Sequence, residues 1–440
     1  MQPELVLDPT TASNEGSHGS VAQTELRNTH SAIQVTSVDT LLAAITVLSI
    51  LLAPLRLGDY EALRPMAMVF LPCAFCLAWR NVGTLVSFLQ SRQGYQIVGL
   101  FVLLSVGHFL GNDWISGFQG EDYSILSLEN LLVMPVVLAC GMILGSKSSC
   151  RFGLCVGLGM GLVFHLISVG IVQSATSYRS FDRASGVLAD PNILLLYVVP
   201  VFFLWRGLLV KPLWRWIALL LIVPVVWATL QTLSRAGLIA LASGLLALLL
   251  ASLIFSRTAR ERRAALVTVI AIPLLLVVLM WRKPDFVEER VAAYTTRTTE
   301  RIAESGSFLN DRLMWLNELE THRLSDHVLH PFGMGYNLFQ EGNEILPHNT
   351  FVDVYIIAGP LAFVFYLLLF SRAIRNSFLA AFRTARPADS FSSLHLFAFM
   401  LTMSLLLFSL SVLTWKVNWL LLGIALSRFG SSESTGTQEA

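Results

Sequence analysis

His348 lies in the stretch LPHNTFVD (346–353), where a long polar segment gives way to an apolar run, and Asn349 follows it. Its unperturbed pKa of about 6.5 suits a histidine there to take a proton from a hydroxyl near neutral pH. Three arginines accompany it: Arg183 in RSFDRASGVLADPN (179–192), Arg235 in QTLSRAG (231–237) and Arg312 in NDRLMW (310–315). Each has a plainer reading. Asp190, Pro191 and Asn192 suit the first turn of a helix, an isolated arginine at a membrane edge snorkels to water, and Asn310 suits a helix cap. A lone histidine beside a membrane span is more often a packed residue than a catalyst. Capping leaves Arg183 unexplained, because it sets a cation beside a helix N-terminus, where the macrodipole favours anions. A guanidinium offers a planar fork that matches phosphate oxygens. It stays charged at any relevant pH and stabilises the negative charge on a departing diphosphate. Arginines with a histidine base therefore point to a reaction on a diphosphate. The chain has no Asp-x-Asp pair to hold a metal for that purpose, so the expected chemistry uses neither metal nor cofactor. His322, His327 and His330 with His348 would be the zinc alternative, but their spacing is not a compact ligand pattern.

These residues need a scaffold, and composition says which kind. Of the 440 residues, 55% are hydrophobic and 13% charged, against about a quarter charged in soluble domains, so the chain is read as an integral membrane protein. A net charge of +1 gives no case for nucleic acid. Five cysteines in apolar settings do not make a disulfide framework, and Cys73-x-x-Cys76 reads as small packing residues on a membrane helix.

Twelve apolar runs of spanning length are expected near 38–57, 65–79, 95–111, 125–145, 152–172, 192–208, 213–231, 236–255, 264–281, 350–370, 391–411 and 415–428. Lys and Arg concentrate in alternate short loops, among them Arg80, Lys147, Arg151, Arg206, Arg257 and Arg372, which puts both termini in the cytoplasm. The organisation expected is all-α and polytopic. A disordered tail over 1–37 precedes nine helices over 38–281. A periplasmic helical loop over 282–349, three more helices over 350–428 and a tail over 429–440 follow. In the loop, PDFVEERVAAYTTRTTERIAE and NDRLMWLNELETHRL space apolar residues as surface-lying amphipathic helices do, and the glycine-rich turn HPFGMGYN follows.

From about residue 40 to 428 this pattern resembles the O-antigen ligase and polymerase superfamily of bacterial membrane glycosyltransferases. RASGVLADPN is similar to that family's R-x-x-G-x-x-x-x-PN element, and TLSRAGLIAL to its Ser-Arg span. NDRLMW, with Trp315 three positions after Arg312, is similar to its helix bearing an Arg and a Trp, and GMGYN followed by PHNTFVDVYIIAG to its G-x-G and HN ending. The resemblance implies an enzyme of the bacterial inner membrane with a periplasmic active site. It would transfer a glycan whole from undecaprenyl diphosphate to an acceptor hydroxyl, with inversion and without metal. It implies that Arg235 and Arg312 bind the diphosphate and His348 activates the acceptor. Arg183, Asn192 and Asn349 would shape the substrate site. The acceptor would be a sugar of the lipid A core for a ligase, or the next lipid-linked repeat unit for a polymerase. A third member activity attaches glycan to protein. Besides donor and acceptor, membrane lipids are the expected partners.

A secondary transporter is the alternative from another class, since twelve spans are common there. Transporters show internal repeats and ionisable groups at mid-membrane. No repeat is visible, and Glu129, His108, His165 and His395 are scattered.

Overall fold

A computed structural model describes residues 38–53, 65–113, 121–171, 176–178, 181–183, 188, 190–209, 211–255, 284–305, 332–333, 349–383, 387–410, 412–413 and 415–430, with scattered positions between 259 and 281. In chain order the helices are α1 (Val38–Leu51), α2 (Pro65–Arg80), α3 (Val82–Leu89), α4 (Arg92–Asp113), α5 (Glu121–Ser146), α6 (Arg151–Ile171) and α7 (Pro191–Leu208). They continue with α8 (Pro212–Leu220), α9 (Ile222–Gln231), α10 (Arg235–Phe255), α11 (Pro284–Ser305), α12 (Thr350–Arg383), α13 (Pro387–Leu407) and α14 (Lys416–Gly430). Apart from these, β1 (Thr176–Tyr178) and β2 (Phe181–Arg183) form a small antiparallel hairpin.

Among the described residues, five stretches are long and apolar enough to cross a membrane: 148–171, 191–208, 213–231, 235–254 and 350–381. Outward-facing rings and branched side chains support that reading. Phe152 is 70% exposed, Ile171 76% and Ile254 68%, a surface that water would penalise and lipid would not. α7 is apolar all round, and Leu194 to Leu204 are all buried, enclosed by α6, α10 and α13.

Close contacts fix the relative sense of several pairs. Gly153 meets Thr40 and Gly161 meets Leu51, so α1 and α6 run parallel; Gly237 meets Leu195 and Gly244 meets Phe203, so α7 and α10 do too. α5 and α14 are likewise parallel, with Gly141 on Leu420 and Gly145 on Ser427. These are the senses that the expected alternation of crossings requires. They rank the helices against each other and leave the total of twelve as an expectation.

One expected crossing is rebuilt. By length and composition 350–381 counts as one span, yet Gly359 has φ 83° and ψ 177°, outside any helix, and Pro360 follows it. The ring of Phe351 lies 5.5 Å from that of Tyr366 and 5.4 Å from that of Phe370, and Tyr355 lies 6.0 Å from Phe363. Residues 351 and 370 of a straight helix would be about 28 Å apart. α12 therefore doubles back at Gly359, a short arm over 350–358 lying against a long arm over 360–383. The long arm runs antiparallel to α4: Phe365 is at Gly99, and Ile357 and Ala358 at the tip meet Gly107. The crossing expected over 350–370 thus belongs to 360–383.

The second expected span, 65–79, ends where expected, and a further helix follows it. α2 stops at Arg80 and α3 turns away by 79°, with no buried residue of its own, so it lies beside the bundle instead of within it.

Candidate active site

The turn before α10 holds Arg235 with three short side chains. Leu233 takes a left-handed φ of 50°, which leaves no room for a loop between α9 and α10. The Thr232 hydroxyl donates to the Thr229 carbonyl at 2.8 Å and accepts from the Ser234 N–H at 3.3 Å. Ser234 Oγ then accepts from the Gly237 N–H at 3.2 Å, the bond of an N-cap. Arg235 thereby becomes the first residue of α10 and is half-buried.

At the start of α7, Asp190 Oδ1 accepts from the Asn192 N–H at 2.6 Å, and Pro191 occupies the first turn, where a missing N–H costs nothing. Asp190 is a cap, as its position in the sequence indicated. Gly237 sits against the Leu195 side chain, which would have to shift to admit a Cβ. The starts of α7 and α10 therefore lie side by side, and Asn192 and Arg235 share one end of the bundle. Upstream, the backbone of Arg183 pairs with Thr176 across the hairpin.

Asn349 opens α12, its Oδ1 accepting from the N–H groups of Phe351 at 3.0 Å and Val352 at 3.3 Å. Buried Thr350 donates to the Leu410 carbonyl at 2.5 Å and accepts from the Val412 N–H at 3.1 Å. These bonds tie the short arm to the non-helical chain between α13 and α14. Trp415, in that segment, packs edge-on against Tyr197 of α7 at 6.2 Å. A continuous path of contacts thus leads from Asn349 to the first turns of α7, beside Arg235. From the surface, α11 adds Tyr294, whose hydroxyl donates to the Thr229 carbonyl at 3.4 Å, while Ala293 is buried. The amphipathic helix expected from PDFVEERVAAYTTRTTERIAE therefore lies over the end of α9.

Of the residues expected from the sequence, the structure puts Asn192 and Arg235 on neighbouring helix starts, and Asn349 caps α12. Arg312, His348, His322, His327 and His330 lie outside the described residues, as do the side chains of Arg183, His108 and Glu129. His165 is a packed core histidine, its Nε2 2.9 Å from the Leu51 carbonyl and its ring 4.8 Å from Tyr197. The five cysteines are free thiols.

Thr350, Tyr294, Tyr366 and Asn418 were not singled out from the sequence, whereas Asp353 drew notice as the acid one turn into the span after His348. Asp353 is only 3% exposed and lies within electrostatic reach of Tyr366, whose hydroxyl is beside the Asn418 amide; both of these are fully buried. A signal was present, since Thr350, Asp353 and Asn418 interrupt apolar runs. Which of them met was a tertiary matter. Irregular backbone at membrane depth needs protein around it or water beside it, and these polar groups surround such a break. The chain matches no family model, and no curated protein matches it in sequence.

Proposed function

We propose that this protein is a membrane glycosyltransferase that moves a glycan from an undecaprenyl diphosphate carrier to an acceptor sugar hydroxyl. The observation that carries this reading is that the starts of α7 and α10, with Asn192 and Arg235 on them, lie side by side in an apolar bundle, while Thr350, next to Asn349, is bonded to the chain before α14, whose Trp415 packs on α7. A lipid-linked diphosphate needs that combination: a cation at the membrane edge, polar side chains beside it and an apolar surface for the carrier chain.

In the reaction, His348 takes the proton of the acceptor hydroxyl and its oxygen attacks the anomeric carbon. The bond from that carbon to the diphosphate oxygen breaks with inversion, and the electron pair leaves on the diphosphate, whose charge Arg235 and Arg312 hold. The ligase form, with a lipid A core acceptor, is the version adopted. Polymerisation of repeat units and transfer to protein use the same donor chemistry.

Cells lacking the gene and complemented with wild type, Arg235→Gln or His348→Ala test this on a gel of carrier-linked and surface glycans. Long chains stranded on the carrier above a bare core are expected without the gene and with either variant. Single repeat units without long chains would make the protein a polymerase, and unchanged glycan pools would overturn the reading.

The doubled-back α12 and the break before α14 favour one other reading, a secondary transporter, because broken helices with a buried acid are built around transported ions. An Asp353→Asn variant that keeps full glycan transfer but loses substrate uptake into vesicles would select it.

A further inference from the structure

The opposite end of the bundle carries a feature unrelated to the proposed reaction. Phe75 and Trp79, one turn apart on α2, stack with ring centroids 6.1 Å apart and are 68% and 72% exposed. With Cys76 and Arg80 they line an open cavity of about 310 Å³ whose walls are apolar except at Arg80. Directly after Arg80 the chain turns by 79° into α3, which lies beside the bundle with Val82, Val86 and Leu89 exposed.

Charge gathers at the same rim. Arg80 Nε donates to Asp39 Oδ1 at 2.6 Å, and Ser149 Oγ donates to the other carboxylate oxygen at 3.4 Å. Asp39, Arg80 and Lys147 all act electrostatically on Cys150, so one acid and two cations crowd into one corner, with Arg151 next in the chain. Asp39 neutralises one of those cations and leaves the corner net positive. By the pattern of basic loops this is the cytoplasmic end.

We infer that this corner is a binding site for an anionic phospholipid, whose headgroup lies on the net positive rim of Arg80 and Lys147 and whose acyl chain fills the cavity at Phe75, Cys76 and Trp79. The shape and the charge each demand one half of that ligand. Apolar walls alone take any acyl chain, and exposed cations alone take any anion. Only a molecule with both, oriented by a leaflet, satisfies cavity and rim together. The flat α3 lies where the lipid interface would be and sets the depth of the headgroup beside Arg80.

The test extracts the protein from vesicles of equimolar phosphatidylglycerol and phosphatidylcholine and counts retained lipids by native mass spectrometry. Wild type should keep phosphatidylglycerol in preference to phosphatidylcholine. The Lys147→Gln variant should lose about fivefold of that preference, the effect of one cation near a membrane surface. Trp79→Ala, at an exposed position, should lower retention of both lipids and keep the headgroup preference. Equal retention of the two lipids by wild type, or a preference unmoved by Lys147→Gln, would overturn the site and leave annular lipid only. Both variants lie far from Arg235, so glycan transfer should be unchanged in either.

Discussion

Where α5 meets α14, glycines stand in for side chains. Gly141 and Gly423 lie so close to the facing backbone that any Cβ would collide, and little besides van der Waals contact holds the pair. Where α12 meets the break between α13 and α14, Thr350 and Asn349 instead give their hydrogen-bonding groups to backbone partners. Helices in lipid gain nothing from burying apolar area against each other, so the first junction relies on close approach. The second must hold irregular backbone at membrane depth, where an unbonded N–H or C=O costs several kcal/mol. The first leaves no space and no chemistry. The second leaves Asn349 half-buried next to a fully bonded Thr350, and polar side chains of that kind are where a site can form.

The largest effect should come from breaking the close junction. Gly423→Leu drives a side chain into the Leu138 carbonyl and the Gly141 backbone, so overpacking should cost about 3 kcal/mol or more and sharply lower the yield of folded protein, read as the melting temperature in detergent. A melting temperature within a degree of wild type would mean that α5 and α14 are not so tightly joined.

Next comes the reversal of α12. Gly359→Ala puts a Cβ on a residue with φ 83°, a conformation close to glycine-only, at a cost of about 1–3 kcal/mol. Gly333, with φ 79°, lies against the tip at Ile357 and Ala358, so Gly333→Ala should disturb the same place. Hydrogen exchange should rise over 350–358 and stay unchanged over 420–427; a uniform rise would show that the two junctions are not separate units.

The smallest effect sharpens the comparison most. Asn349→Ala removes a cap worth about 1 kcal/mol, and Asn349→Asp should restore the melting temperature because a carboxylate accepts the same N–H bonds. If Asn349 also contacts substrate, Asn349→Asp should stay slow in glycan transfer while folding normally. Full recovery of both would make Asn349 a cap alone.

Much of the scaffold was legible because its causes are local. Asp190-Pro191 marked the start of α7, and the spacing in PDFVEERVAAYTTRTTERIAE marked α11. The reversal at Gly359 was hidden because Thr350 to Arg383 carries an apolar run long enough for one ordinary crossing, and glycine before proline is common in membrane helices that merely kink. The end of α2 at Arg80 was legible from its charge, whereas α3 lay in what read as a loop, because eight apolar residues are too short for a span. At the site, residue types pointed to Arg235, Asn192 and Asn349. Thr350 and Tyr294 drew no notice, because a threonine that bonds two backbone groups sixty residues away looks no different in sequence from one that bonds its own helix turn.

The sequence by itself determined the class of molecule, the capped start of α7 and the alternating sense in which α1, α5, α6, α7, α10 and α14 pack, because hydropathy, capping and loop charge act over a few residues at a time. Only the tertiary structure decided that α12 turns back on itself, that Thr350 closes the gap before α14, and that the helix starts carrying Asn192 and Arg235 lie side by side. Those depend on contacts between residues as distant in the chain as Gly107 and Ile357, and no local pattern encodes which backbone groups, left without a partner by a broken helix, will find each other.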